Sequence, residues 1–307
     1  MSALRALAPA KVNLGLFVGP VRASDGRHEL VSVMQSISLA DELTLEPSAG
    51  AADEVHCPGV PGAPEDNLAA QALRSFRVAT GWDEGPLLLR IAKRIPVAAG
   101  LGGGSADAAA TLRLAQRASG RGDAELLGEL ARELGADVPA LLAPGRWLAR
   151  GAGELLERLP DPSHPLELLL LPLAHALRSG EVYAEADREG LARAPRALAR
   201  LARDVRDAFA YGALVPSAPE LLANDLQPAA IALCPAIERA LDEARDAGAE
   251  HVLVSGSGPT VIALFPSPAG ARQAQRAVAA LAGRDPEPIR ATSVGEAYGR
   301  PEPLAAP

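Results

Sequence analysis

The pattern of apolar and polar positions is at its clearest near the start of the chain. Across residues 10–18, Val12, Leu14, Leu16 and Val18 fall on one side of an extended strand, and Lys11, Asn13, Gly15 and Phe17 on the other. Period two therefore predicts a strand that carries Lys11 and Asn13 on a shared face. Ser24-Asp25-Gly26 predicts a turn, followed by strands over 30–39 and 42–46. Residues 49–66, rich in Gly, Pro and Ala, read as loop with one short strand. A helix follows over 67–80, with Leu68, Ala72, Leu73 and Phe76 near one face. A strand over 87–95 then leads into Pro96-Val97-Ala98-Ala99-Gly100-Leu101-Gly102-Gly103-Gly104-Ser105, and an Ala- and Leu-rich helix spans 106–118. Asp123 caps another helix, which Gly135 ends, and Asp137-Val138-Pro139 starts the next.

The stretch 159–165, Leu-Pro-Asp-Pro-Ser-His-Pro, reads as a domain boundary because its prolines suit no element interior. It divides the chain into residues 1–160 and 161–307. Beyond it come a strand at 168–171, helices over 182–209 parted at Pro195, and a helix over 235–247 closed by Gly248. Strands at 251–254 and 261–265 flank Ser255-Gly256-Ser257-Gly258-Pro259, and a helix at 270–281 and a strand at 289–294 follow. Residues 300–307 read as a frayed tail. Strands and helices mix without regular alternation, which predicts an α+β fold.

Composition narrows the classes. A formal net charge of −8 argues against a general nucleic-acid binder, although a local site can still oppose it. Aromatic residues are only 3% of the chain, so Leu, Val, Ile and Ala must carry the packing. Cys57 and Cys234 lie far apart, without metal spacing, which favours a reducing compartment. No signal peptide or membrane-length apolar run is apparent, so the expected setting is cytoplasmic, without membrane or nucleic-acid partners.

Chemistry concentrates in the glycine loop. Gly100, Gly102, Gly103 and Gly104 clear side chains where a ligand can approach the backbone, and the loop opens a helix whose free N–H groups suit phosphate. It is not a Walker A loop, since no Gly-Lys-Ser/Thr follows, and it does not fit the Rossmann fingerprint. A plain turn with Ser105 as N-cap is the competing reading. Asp137 reads by itself as a helix cap or as a base toward a hydroxyl, and Lys11 as a solvated lysine or a site residue beside Asn13. Residues 255–258 are open between a strand turn and a ligand-facing loop. No histidine pair has metal-ligand spacing, and no Gly-x-Ser-x-Gly elbow supports a serine hydrolase.

Pro9-Ala10-Lys11-Val12-Asn13, the glycine loop and Ser255-Gly256-Ser257-Gly258-Pro259 resemble, in this order, the GHMP kinase superfamily. Asp25-Gly26-Arg27-His28-Glu29-Leu30, Glu65-Asp66-Asn67-Leu68, Leu134-Gly135-Ala136-Asp137-Val138-Pro139 and Glu181-Val182-Tyr183 are similar to its branch that phosphorylates 4-diphosphocytidyl-2-C-methyl-D-erythritol. The resemblance implies a two-domain fold, with an N-terminal domain like ribosomal protein S5 domain 2 and a ferredoxin-like C-terminal domain. It implies ATP and Mg2+ as cofactors, with ATP along Pro96, Val97, Ala98, Ala99, Gly100, Leu101, Gly102, Gly103, Gly104, Ser105 and Ala106. Asp137 is then the base for the 2-hydroxyl, with Lys11 beside it, while Asn13, His28 and Tyr183 place the cytidyl substrate. The implied partners are small molecules, in a monomer or homodimer, on the non-mevalonate route to isoprenoids. The family usually has tyrosine where this chain has Arg27, whose plane can also stack on a base. A different small alcohol as acceptor, or a non-catalytic nucleotide binder, are the alternatives.

Overall fold

The computed structural model describes residues 2–304. In chain order the elements begin with two long strands, β1 (Leu4–Val21) and β2 (His28–Pro47). Next come β3 (Glu54–His56), α1 (Leu68–Thr80), β4 (Leu87–Ala92), α2 (Gly103–Ser119), α3 (Ala124–Leu134) and α4 (Val138–Leu142). Strands β5 (Arg146–Gly151), β6 (Leu155–Leu159) and β7 (Glu167–Leu171) follow. Then come α5 (Ser179–Glu189), α6 (Pro195–Phe209), α7 (Gln227–Leu233) and α8 (Ala236–Asp246). The series closes with β8 (His251–Val254), β9 (Val261–Phe265), α9 (Gly270–Ala280), β10 (Ile289–Thr292) and β11 (Glu302–Pro303).

The first sheet runs β11-β1-β2-β4-β3, with β5 and β6 joined at the other part of β2. The length of β2 makes this branching possible: its first half pairs with β5 and its second half with β4. The second sheet runs β10-β7-β9-β8, wholly antiparallel, which is the strand order of a ferredoxin-like unit. Its central strand is apolar on both faces. Leu168 and Leu170 enter the core of the first sheet, while Leu169 and Leu171 enter a second core shared with the helices of the C-terminal half. The two halves are therefore packed face to face, and the fold is α+β.

Several expectations change. The side chains of β1 do not keep one face throughout. Register breaks between Asn13 and Gly15, so Val12 and Leu14 join the first core whereas Leu16 and Val18 join the second. The segments 30–39 and 42–46 form one continuous strand. The hairpin β5–β6 and helix α7 stand where no element was predicted. Helix α2 begins at Gly103 rather than Ala106, with Gly102 as its N-cap, so Ser105 lies inside the first turn and caps nothing. The segment expected to fray pairs with the first strand instead, Glu302 opposite Arg5 and Pro303 opposite Leu4; residues 305–307 of that expectation lie outside the described residues.

One buried cation ties the halves together. Arg146 is fully buried, its guanidinium donating to Gln35 Oε1 at 2.9 Å and to the carbonyls of Ala213 and Leu214, with Phe209 4.6 Å beneath it. Burial brings its pKa down to about 10, so it stays charged at neutral pH. Replacing Arg146 with Ala strands several buried acceptors, and a loss of roughly 3–5 kcal/mol is expected in chemical denaturation. Lysine should recover little of it, because it lacks the planar fork.

Candidate active site

A cavity of about 960 Å³ lies at the junction of the two cores. One wall is the loop before α2. Ala98, Gly100 and Gly102 all have positive φ, at 54°, 77° and 71°, a conformation that glycine adopts without strain and alanine does not. These reversals turn the chain sharply into α2, whose first N–H groups, those of Gly103, Gly104 and Ser105, lack helical partners. Together with the helix dipole they form an anion cradle. Gly100 also admits a second loop. A Cβ there would meet the Ser255 carbonyl oxygen at 2.5 Å and that of Gly258 at 2.8 Å, and Ser255 Oγ donates to the Gly100 carbonyl at 3.2 Å. The loop at 255–258 is thus more than a strand turn: it buttresses the cradle, and Gly256 and Ser257 line the cavity.

Strand β1 brings Lys11 to the foot of that cradle. Its backbone N–H donates to the Leu101 carbonyl at 2.9 Å, and Gly102 leaves room for its side chain, since a Cβ there would lie 3.0 Å from Lys11 Cγ. Lys11 is 6% exposed. Its ammonium donates to Asn13 Oδ1 at 2.8 Å and faces Asp137 Oδ2 at 3.4 Å. Asn13 is fixed in turn by Ser32 Oγ at 2.7 Å, and that hydroxyl donates to the Gly15 carbonyl at 2.9 Å. Asp137 precedes α4 in a right-handed conformation and makes no side-chain cap bond. The cap reading therefore fails on geometry, and the carboxylate is partly open to the cavity.

At the far end, His28 and Tyr183 stack on each other, with centroids 5.1 Å apart. His28 Nδ1 donates to the Gly19 carbonyl at 2.9 Å, and Nε2 lies 3.4 Å from Asp187 Oδ2. Burial and then the nearby Asp137 push the Tyr183 phenol up to about 12, so it stays neutral. Arg27 projects beside them, its guanidinium held by the Ala152 carbonyl at 2.6 Å. The structure thus gathers Lys11, Asn13, His28, Asp137, Tyr183 and residues 96–105 around one cavity. Ala106 is buried in α2 and does not line it.

Two features escaped the sequence reading. Lys93 lies beneath the cradle between Asp41 and Asp107. Asn224, 7% exposed, donates to the carbonyls of Val254 at 2.8 Å and Gly256 at 2.7 Å, and so holds the second loop. Their roles depend on partners elsewhere in the chain, Asp41 and Asp107 for Lys93 and the loop after Val254 for Asn224.

The profile of the GHMP kinases N terminal domain matches residues 67–145, and that of the GHMP kinases C terminal domain matches residues 205–283. The 4-diphosphocytidyl-2-C-methyl-D-erythritol kinase of Anaeromyxobacter sp. (strain K) is 44% identical over 281 residues, covering 89% of this chain and 84% of its own. That of Pelotomaculum thermopropionicum is 39% identical over 272 residues, covering 88% and 92%. A crystal structure of 4-(cytidine 5'-diphospho)-2C-methyl-D-erythritol kinase superposes with a TM-score of 0.74 at 34% identity, over 95% of this chain and all of that one (100%). A homoserine kinase from Cytophaga hutchinsonii shares the fold at a TM-score of 0.72 and 18% identity, over 98% and 97% of the two chains.

The cradle makes a sharp prediction about its glycines. Gly100→Ala forces a left-handed alanine against two backbone carbonyls and should cost about 2 kcal/mol or more in denaturation, together with loss of nucleotide binding. Gly104→Ala meets only Leu68 Cδ1, at 3.7 Å, within a helix, and should leave stability equal or raised by about 0.5–1 kcal/mol.

Proposed function

The chain belongs to the GHMP kinases, in their 4-diphosphocytidyl-2-C-methyl-D-erythritol kinase branch, and on that premise we propose that it moves the terminal phosphoryl group of ATP onto the 2-hydroxyl of that cytidyl substrate, with Asp137 as base. It is an alcohol phosphotransferase of isoprenoid biosynthesis. Among the described residues no helix is long and apolar enough to cross a membrane.

The observation that carries the mechanism is the Lys11–Asp137 pair, set between the anion cradle and the aromatic end of one cavity. Asp137 takes the hydroxyl proton as the oxygen attacks the γ-phosphorus. The bond to the ADP oxygen breaks, and ADP leaves with that electron pair. The Lys11 ammonium holds the Asp137 carboxylate in place and stabilises the developing alkoxide, because burial among fixed partners makes its charge effective. The free N–H groups of Gly103, Gly104 and Ser105 receive the phosphates, so positioning and charge stabilisation supply most of the acceleration.

Mg2+ fits this donor set. Among the described residues no three His, Cys, Asp or Glu side chains form a cage, and this ion ordinarily binds through one or two carboxylates together with substrate phosphates. The ion would be held by the substrate phosphates and neutralise their charge, leaving the open oxygen of Asp137 to take the hydroxyl proton.

Cytosine recognition falls to the far end. With Nδ1–H committed to Gly19, His28 has Nε2, beside Asp187 Oδ2 at 3.4 Å, left for a polar contact with the base. Tyr183 and Arg27 offer flat faces on which the base can lie. Division into catalytic units at 1–160 and 161–307 is part of the proposal; Lys11, Asp137 and the cradle lie in the first and Tyr183 in the second.

A coupled ADP-release assay with the cytidyl substrate tests the whole. Asp137→Asn should cut kcat by about 10²–10⁴-fold while a non-hydrolysable ATP analogue still binds. Near-normal turnover in that variant rules out the base assignment. Arg27→Ala should raise KM for the cytidyl substrate by roughly 3–30-fold, reflecting about 0.5–2 kcal/mol of stacking, with kcat nearly unchanged. An unaltered KM would show Arg27 to be a bystander.

A further inference from the structure

The anion cradle rests on a charged cluster that the transfer chemistry leaves unused. Lys93 follows β4, and its ammonium lies between two buried carboxylates, Asp41 of β2 and, at 2.7 Å, Asp107 of α2. A Cβ on Gly103 would lie 3.4 Å from Lys93 Nζ, so the ammonium sits against the first turn of α2. An ammonium has three donors, of which the carboxylates take two. Lys93 borders the cavity with its side chain 14% exposed, so the third has room to turn toward a ligand at the cradle.

The two carboxylates are not equivalent. Asp41 Oδ1 accepts from the backbone N–H groups of Arg94 and Ile95, the latter at 2.9 Å, while Oδ2 accepts from Lys93. Asp107 Oδ2 has Lys93, but Asp107 Oδ1 is buried with no partner. Two carboxylates face one ammonium, so an ionised Asp107 leaves a surplus negative charge beneath the place where phosphates arrive. Burial pushes Asp107 up to about 7; Lys93 opposes that rise and Asp41 adds to it. The same carboxylates hold Lys93 above its ordinary value against the downward pull of burial. Cys57 is the remaining titratable neighbour, its thiol pushed up by burial and by Asp107, and Asn67, at the head of α1, brings an uncharged amide to that thiol.

A phosphate chain at the head of α2 competes with Asp107 for the same ammonium and repels the ionised carboxylate. Both effects favour the protonated acid. We propose that Asp107 is a positioning residue that takes a proton from solvent when ATP binds, which leaves the Lys93 ammonium to the nucleotide. The inference rests on the cradle being the phosphate site. Sign and window follow from the cluster. Asp107 is mostly ionised in the free protein above pH 7 and must be reprotonated there, so nucleotide affinity weakens as pH rises through and beyond 7.

The test is calorimetric titration of the full chain with a non-hydrolysable ATP analogue and Mg2+, without the acceptor, in buffers of different ionisation enthalpy. A one-unit rise in the Asp107 midpoint gives roughly 0.4 of a proton taken up at pH 8. That uptake should appear as the difference between the wild type and Asp107→Asn, in which the nucleotide's own ionisation cancels. Carbon-13 NMR of aspartate carboxyls in the wild type reads the same event without a variant: the Asp107 midpoint should move upward on adding the analogue. Equal proton counts in the two proteins, or a midpoint that stays or falls as metal coordination would make it, overturn the proposal while leaving the kinase reading intact. Absence of analogue binding to the wild type overturns both.

Discussion

The change of face within β1 is the constraint from which the site follows. Before the bulge the strand feeds the first core through Val12 and Leu14, and after it the second through Leu16 and Val18. One strand therefore belongs to both halves. Lys11 and Asn13 stand at the changeover, where neither core closes over them and a cavity remains. Close approach by a neighbouring segment maintains the arrangement. Leu16 donates to the Ala223 carbonyl at 2.8 Å, and a Cβ on Gly15 would meet the Leu221 carbonyl oxygen at 2.7 Å. The next residue but two in that segment, Asn224, holds the loop that buttresses the cradle. Backbone of the second half is thus laid against the strand that presents the lysine.

An acidic chain that is to receive an anionic nucleotide needs local positive charge, and around its cavity this one holds a few cations in place. Lys11 is fixed by Asn13 and Asp137, and Lys93 by Asp41 and Asp107. In each case a carboxylate limits the cost of burying the ammonium and also aims it. The resulting field is local: it counts at the cradle and does not alter the overall charge of −8.

What the sequence discloses is uneven for physical reasons. Helices with a one-sided stripe were legible, as with α1 and with α3 behind its Asp123 cap, because those signals are local; the predicted span of α1 takes its cap, Asn67, into the helix itself. The shared direction of Lys11 and Asn13 was legible from period two, which the bulge interrupts only after Asn13. The later face of β1 was not, since a bulge has no signature in alternation. The hairpin β5–β6 was missed because its residues, from Arg146 to Leu159, hold mixed burial without a clean period. Asp137 looked locally like a cap, and its missing cap bond and its position opposite Lys11 argue otherwise. The Asp41–Lys93–Asp107 cluster joins three elements distant in sequence, so nothing short of the assembled sheet and helix brings it to view.

The pairing of β11 with β1 also bears on how the protein is made. Residues 302–303 complete the ladder beside Leu4 and Arg5, almost the whole sequence away. During synthesis the outer edge of β1 emerges among the first segments, and its partner among the last of those described here. Between the synthesis of residue 5 and that of residue 302, the edge of β1 at Leu4 and Arg5 lacks this partner. Domains generally fold in the order in which they emerge. In this chain that corner of the first sheet is begun early and completed late, by a partner nearly three hundred residues on.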